Sequence, residues 1–142
     1  MKQVEFEQVE PTEEQIVTLF DLLETRLHKI SYQETSYSKH KDFVKSQPYR
    51  DWFLIRVSEN YVGSFYVSKE NTIGINVADE YTSLVVSSII NFVNKNFEPL
   101  PLIPSVRSDR FAINVPPSST QLARELRAID AKIAQVTYFL PS

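Results

Sequence analysis

The chain has 142 residues, enough for one domain with a substantial core, and its net charge of −3 argues against nucleic acid or an anionic membrane as partner. It has no cysteine, which excludes disulfides, zinc–thiolate sites and thiol catalysis. It has only two glycines, Gly63 and Gly74, so neither GxGxxG nor GxxxxGK(S/T) can be built and a glycine-rich phosphate loop of the usual kind is excluded.

The segment KQVEFEQV alternates apolar and polar residues around Val4 and Phe6 and predicts a first strand, broken by Pro11. In TEEQIVTLFDLLETRLHKI, Thr12 with Gln15 forms a capping-box pattern, and Ile16, Leu19, Phe20, Leu23, Leu27 and Ile30 recur at helical spacing. TSYSKHKDFVKSQP predicts a shorter helix, capped near Thr35 or Ser36 and stopped before Pro48. Three strands follow, DWFLIRVS, YVGSFYVS and TIGINV, rich in β-branched and aromatic residues. The short polar links EN and KEN between them imply an antiparallel meander. A long apolar helix runs from about Glu80 to Asn96, and EPLPLIPS after it is irregular because of its prolines. RFAINV reads as a strand, PPSSTQLARELRAI as a helix capped by Ser118 or Ser119, and KIAQVTYFL as a closing strand.

The strands TIGINV and RFAINV are joined through a helix, which predicts that they run parallel, while the other pairings are antiparallel. The expected class is α/β or α+β: one domain, 1–142, with a mixed sheet covered by about four helices. No apolar run is long enough for a bilayer and MKQVEFEQVE is not a signal peptide, so a cytoplasmic protein is expected.

With this element order in place, the phrases PYRDWFLIRVSENYVGSFYVSKENTIGINVADEY and FAINVPPSSTQLARELRAIDAKIAQVTYFL resemble, over nearly the full length, the GNAT superfamily of acetyl-CoA-dependent acyltransferases. The resemblance implies a splayed parallel strand pair, with the pantetheine arm of the cofactor against Ile75, Asn76 and Val77. It further implies a pyrophosphate loop over Thr82–Ser87, with Val85, Val86, Ser87 and Ser88 offering backbone N–H groups to the phosphates. Asn114 matches an asparagine near the fifth strand, and Ser119 falls where a second asparagine contacts the cofactor. The chain departs from the family pattern in that loop: TSLVVS places Thr82 at the Gln/Arg position and Val85 at the first glycine. Leu126 stands where a tyrosine commonly protonates the leaving thiolate.

Amine acetylation needs a base and a proton donor. Glu80, at the end of the fourth strand beside Asp79, is the candidate base; both also suit a helix N-terminus as dipole-stabilising acids. Tyr138 is the stand-in for the missing tyrosine, ahead of Tyr37, Tyr49 and Tyr66. His28 and His40 have no patterned carboxylate, so surface roles are expected and no metal site. The run RSDR either attracts the cofactor's 3′-phosphate or is a solvated loop, and Trp52 is read as a core or hinge aromatic. The expected function is acetyl transfer from weakly bound acetyl-CoA to an amine of a small molecule or peptide, with slow turnover. Two alternatives stand beside it: an inactive binding module that keeps the groove, and a homodimer subunit that pairs through the exposed sheet edge.

Overall fold

The computed structural model describes residues 3–24 and 36–142. Among the described residues five strands, β1 (Val4–Gln8), β2 (Asp51–Val57), β3 (Asn60–Val67), β4 (Thr72–Val77) and β5 (Ala112–Ile113), form one sheet in chain order. The first three pairings are antiparallel and β4–β5 is parallel, as the helical crossover predicts. Among the described residues four helices cover it: α1 (Glu13–Glu24), α2 (Tyr37–Lys45), α3 (Asp79–Asn96) and α4 (Thr120–Ala128). The continuation of the α1 pattern through Leu27, His28 and Ile30, and the Thr35 cap, lie outside the described residues.

The alternation in β2 divides the core between the two sheet faces. Phe53, Ile55 and Val57 join Phe65, Val67, Ile73 and the α3 residues Val85, Ile89 and Val93 on one side. Leu54 joins Ile16 and Leu19 of α1 and Val44 of α2 on the other, with Trp52 packed against that cluster as its reading required. Phe6, Phe53, Phe65 and Phe92 meet mainly edge to face, with centroids 5.0–6.0 Å apart, so α3 is keyed to the sheet by rings as well as by area.

The predicted caps form. Ser36 Oγ accepts from Lys39 N–H at 3.3 Å, and Thr12 Oγ1 accepts from Gln15 N–H at 3.3 Å. Gln15 reaches back to Glu10 N–H, 2.6 Å away, rather than to Thr12 itself. The β2–β3 link is tighter than a flexible polar turn. Ser58 and Glu59 both have positive φ, 49° and 73°, the type I′ signature that matches strand twist. Neither glycine relieves a turn; both permit close approach. A Cβ on Gly74 would collide with the Tyr66 ring, and one on Gly63 with the Asn76 carbonyl. Tyr66 in turn stacks on Tyr49 at 3.7 Å.

Three expectations are corrected. RFAINV supplies only a two-residue strand, because Ala112 and Ile113 alone pair with Thr72 and Ile73 before the chains part. KIAQVTYFL forms no strand and pairs with none, and every residue from 131 to 142 is exposed. His40 is not a surface residue: it is 6% exposed, lies against Phe20, and its Nε2–H donates to Ile16 O at 3.2 Å.

Burial holds the His40 imidazole below its ordinary value of 6.5, only partly opposed by the bond to Ile16. In the window below 6.5 the unfolded chain therefore binds the proton first, so stability falls as pH drops through it and is fully present above it. Denaturant midpoints measured from pH 7.5 to 5 should decline more steeply in the native chain than in His40→Gln, and equal slopes would contradict this.

Candidate functional site

Beyond Ile73 and Ile113 the strands β4 and β5 diverge, and a cleft of about 420 Å³ opens between β4, the start of α3 and the start of α4. This is the gap expected between the two parallel strands. Ile75, Asn76, Val77 and Ala78 form one wall, and Pro116, Ser119 and Leu122 face them.

The backbone of β4 is divided between two partners. Ser68 N–H donates to Thr72 O and Ala78 N–H to Val62 O, and the register between these bonds is unbroken. In an antiparallel ladder successive residues alternate sides, so Thr72, Gly74 and Asn76 bond toward β3. The N–H and C=O groups of Ile75 and Val77 therefore turn toward the cleft. They form an open strand edge that an extended, amide-bearing ligand can pair with.

The opposite end of the cleft is built of helix rather than of a loop. A helix running from Glu80 and a phosphate loop over Thr82–Ser87 are mutually exclusive, and the structure has the helix, which begins at Asp79. With no glycine in this stretch, nothing interrupts the helical ladder. The N–H groups of Val85, Val86, Ser87 and Ser88 thus bond to carbonyls one turn earlier. Val85 and Val86 are 0% and 1% exposed and belong to the core, and neither is among the residues that line the cleft. Donors at the true N-terminus share the first turn with Asp79 and Glu80, whose negative charge interacts favourably with the helix dipole and opposes an added anion.

Of the remaining predicted residues, Glu80 lines the cleft and is exposed, in reach of an amine entering from solvent. Ser119 lines it and is buried, and its hydroxyl does not cap α4. Asn114 is exposed after β5 and is not part of the lining. Tyr138 is 84% exposed in the C-terminal tail, also outside the lining. The α4 side chain that enters the cleft is Leu122, one turn before Leu126, so an apolar group stands there in either alignment. Arg107 of RSDR serves the fold: its Nε and Nη1 donate to Pro101 O and Lys69 O at 2.8 and 3.0 Å.

Two tyrosines missed in the sequence border the cleft, Tyr61 and Tyr81. Tyr61 O–H donates to Glu7 Oε1 at 2.9 Å. Burial and this bond raise its pKa, so its proton is held more firmly than an ordinary phenol's. Only the β3–β4 register, which sets Asn60–Gly63 beside Val77, brings Tyr61 here, and no local motif marks it. Among the described residues no group of His, Asp or Glu is placed to hold a metal ion, and no helix is long and apolar enough to cross a membrane.

By sequence the chain matches no family model and no curated protein. Solved structures do match. AAC(6')-Iy, in complex with the bisubstrate analog CoA-S-monomethyl-acetylneamine, aligns over 99% of this chain and 98% of its own with TM-score 0.62 and 10% identity. The aminoglycoside acetyltransferase meta-AAC0020 from an uncultured soil metagenomic sample, in complex with sisomicin, covers 98% and 95% with TM-score 0.58 and 12% identity. A "possible acetyltransferase" from Clostridium difficile 630 covers 98% and 97% with TM-score 0.50 and 11% identity. The shared feature is the fold, a mixed sheet with one splayed parallel pair, and this chain has that GNAT fold.

Proposed function

We propose that this chain, built on the GNAT fold, is an acetyl-CoA-dependent N-acetyltransferase-like protein that grips its donor mainly by the pantetheine arm and turns over slowly. The observation that carries the reading is the open β4 edge at Ile75 and Val77 along the cleft. Its alternating donors and acceptors complement the two amides of a pantetheine arm. The thioester supplies the activated acetyl group. Glu80, which lines the same cleft, is the base that takes the proton from the attacking ammonium. Transfer is direct from the thioester to the amine, and the chain has no cysteine to carry a thioester intermediate. The amine acceptors named for the similar structures support a small-molecule amine as acceptor here.

Slow turnover follows from two features. The first turn of α3 carries Asp79 and Glu80, whose charge opposes a pyrophosphate, and Leu122 brings no proton donor to the cleft. Loss of one positioned acid typically removes roughly 10²–10⁴-fold of rate. The same features favour the second reading, a binding module that retains the groove without the chemistry.

Calorimetry with acetyl-CoA and with S-acetylpantetheine, which lacks the pyrophosphate, tests the grip. The two should bind within about tenfold of each other, a difference under ~1.4 kcal/mol. Acetyl-CoA bound 100-fold more tightly would place pyrophosphate in a functional cradle and overturn the account of α3. Failure of both to bind would leave only the binding module. Transfer to polyamines, amino sugars and peptide N-termini should stay below about 1 s⁻¹.

A further inference from the structure

We propose that Gln121 and Ser83 form a strap across the open end of the cleft that selects the donor by length: it admits a pantetheine thioester and holds off the nucleotide end of coenzyme A. The proposal deepens the reading of the cleft as a donor site and rests on it.

The cleft is closed at one end and open at the other. β4 and β5 meet at Ile73 and Ile113, so a ligand lying along Ile75 and Val77 cannot continue past that point between the strands. Its far end leaves between the first turns of α3 and α4, where residues 78–82 stand on one side and Pro116, Ser119 and Leu122 on the other. A pantetheine arm is a slender chain. Coenzyme A continues from it into a pyrophosphate and an adenosine, and that bulk has to cross the same opening.

The opening is bridged. Gln121 Nε2–H donates to Ser83 Oγ at 2.7 Å, joining the second residue of α4 to the fifth of α3. Helix geometry explains the placement. Thr82 and Leu122 line the cleft and are 3% and 4% exposed. Successive helical residues project about 100° apart. Ser83 and Gln121, each next to a buried lining residue, therefore stand at the rim, and neither is part of the lining. Ser83 is exposed and Gln121 half-buried, as a bridge at the surface requires.

Both ends of the bridge are anchored by backbone. Tyr81 N–H donates to Ala78 O at 2.9 Å at the start of α3. Ser119 N–H donates to Pro116 O at 2.9 Å and Ala123 N–H to Ser119 O at 3.2 Å, which seats α4 on the turn after β5. The rim is thus fixed on both sides, and the strap sets its width. One neutral hydrogen bond in contact with water is weak, so the strap opens and closes, and it biases the choice of donor by a factor of about five.

Calorimetric titration of the native chain, Gln121→Ala, Ser83→Ala, their double variant and Ser83→Thr, each with acetyl-CoA and with S-acetylpantetheine, tests the strap. Either alanine should tighten acetyl-CoA binding about fivefold and leave S-acetylpantetheine within about twofold, which also reports that the cleft is folded. The double variant should gain no more than a single one, because each change removes the same bond. Ser83→Thr keeps the hydroxyl and should behave as the native chain. Unchanged or weaker acetyl-CoA binding in the alanine variants, with S-acetylpantetheine still bound, overturns the strap and leaves the donor reading standing. Equal gains for both donors, or gains that add in the double variant, overturn selection by length. Absence of binding by either donor in every protein overturns the donor reading and the strap together.

Discussion

Replacing Asn71 by alanine should destabilise the fold by about 3–5 kcal/mol, the scale of losing several buried hydrogen bonds at once. Asn71 is 0% exposed and ends the β3–β4 turn with φ 64°, a left-handed conformation that asparagine tolerates and alanine does not. Its side chain does the work of a loop anchor. Nδ2 donates to Leu100 O at 2.8 Å and to Ser108 O at 2.7 Å, and Oδ1 accepts from Leu100 N–H at 2.7 Å. Its own carbonyl accepts from Ala112 N–H at 3.0 Å, at the first residue of β5. One residue therefore fastens the proline-rich crossover, the hairpin and the start of the parallel strand. Alanine would strand three backbone groups and add about 1 kcal/mol of φ strain. Asn71→Gly removes the strain but not the lost bonds, so it should recover only that last part. Urea denaturation of both variants measures this, and a loss below about 1 kcal/mol for alanine would show that solvent replaces the anchor freely.

Placing a glycine in α3 by Val85→Gly should cost about 3–4 kcal/mol and leave acetyl-CoA affinity within twofold of the native value. Val85 is 0% exposed and packs with Phe65, Ile89 and Val93 in the sheet-facing core. Removing its side chain forfeits about 2.4 kcal/mol of burial, and glycine within a helix adds about 1 kcal/mol. At ~4 °C per kcal/mol for a chain of this size, the melting temperature should fall by roughly 12–16 °C. Affinity should not rise, because the backbone N–H of residue 85 belongs to the helical ladder and does not face the cleft. Scanning calorimetry and titration with acetyl-CoA read the two effects separately. A tenfold gain in affinity would mean that α3 unwinds to form the loop once the side chain is gone.

Local sequence was enough to determine β2 to β4 and the starts of α1 and α2. Period-2 runs of β-branched and aromatic residues gave β2 to β4, the capping pattern at Thr12 and Ser36 gave two helix starts, and the helical link between β4 and β5 fixed their parallel sense. These features depend on neighbours a few residues apart, and so they are written in the order of the residues. The absence of glycine after Asn76 also carried its meaning locally: it said that no phosphate loop of the usual kind would form, and α3 runs unbroken from Asp79 through that stretch.

Tertiary structure alone decided what met what. His40 reads as polar within its helix, yet packing against α1 buries it, because burial depends on which face another element covers. Tyr61 and Leu122 reach the cleft through strand register and helix docking, and neither has a local motif. The segment KIAQVTYFL shows the limit most clearly. Its alternation specifies a strand, but a strand exists only when a second edge satisfies its backbone, and that edge is a property of the assembled sheet rather than of the segment.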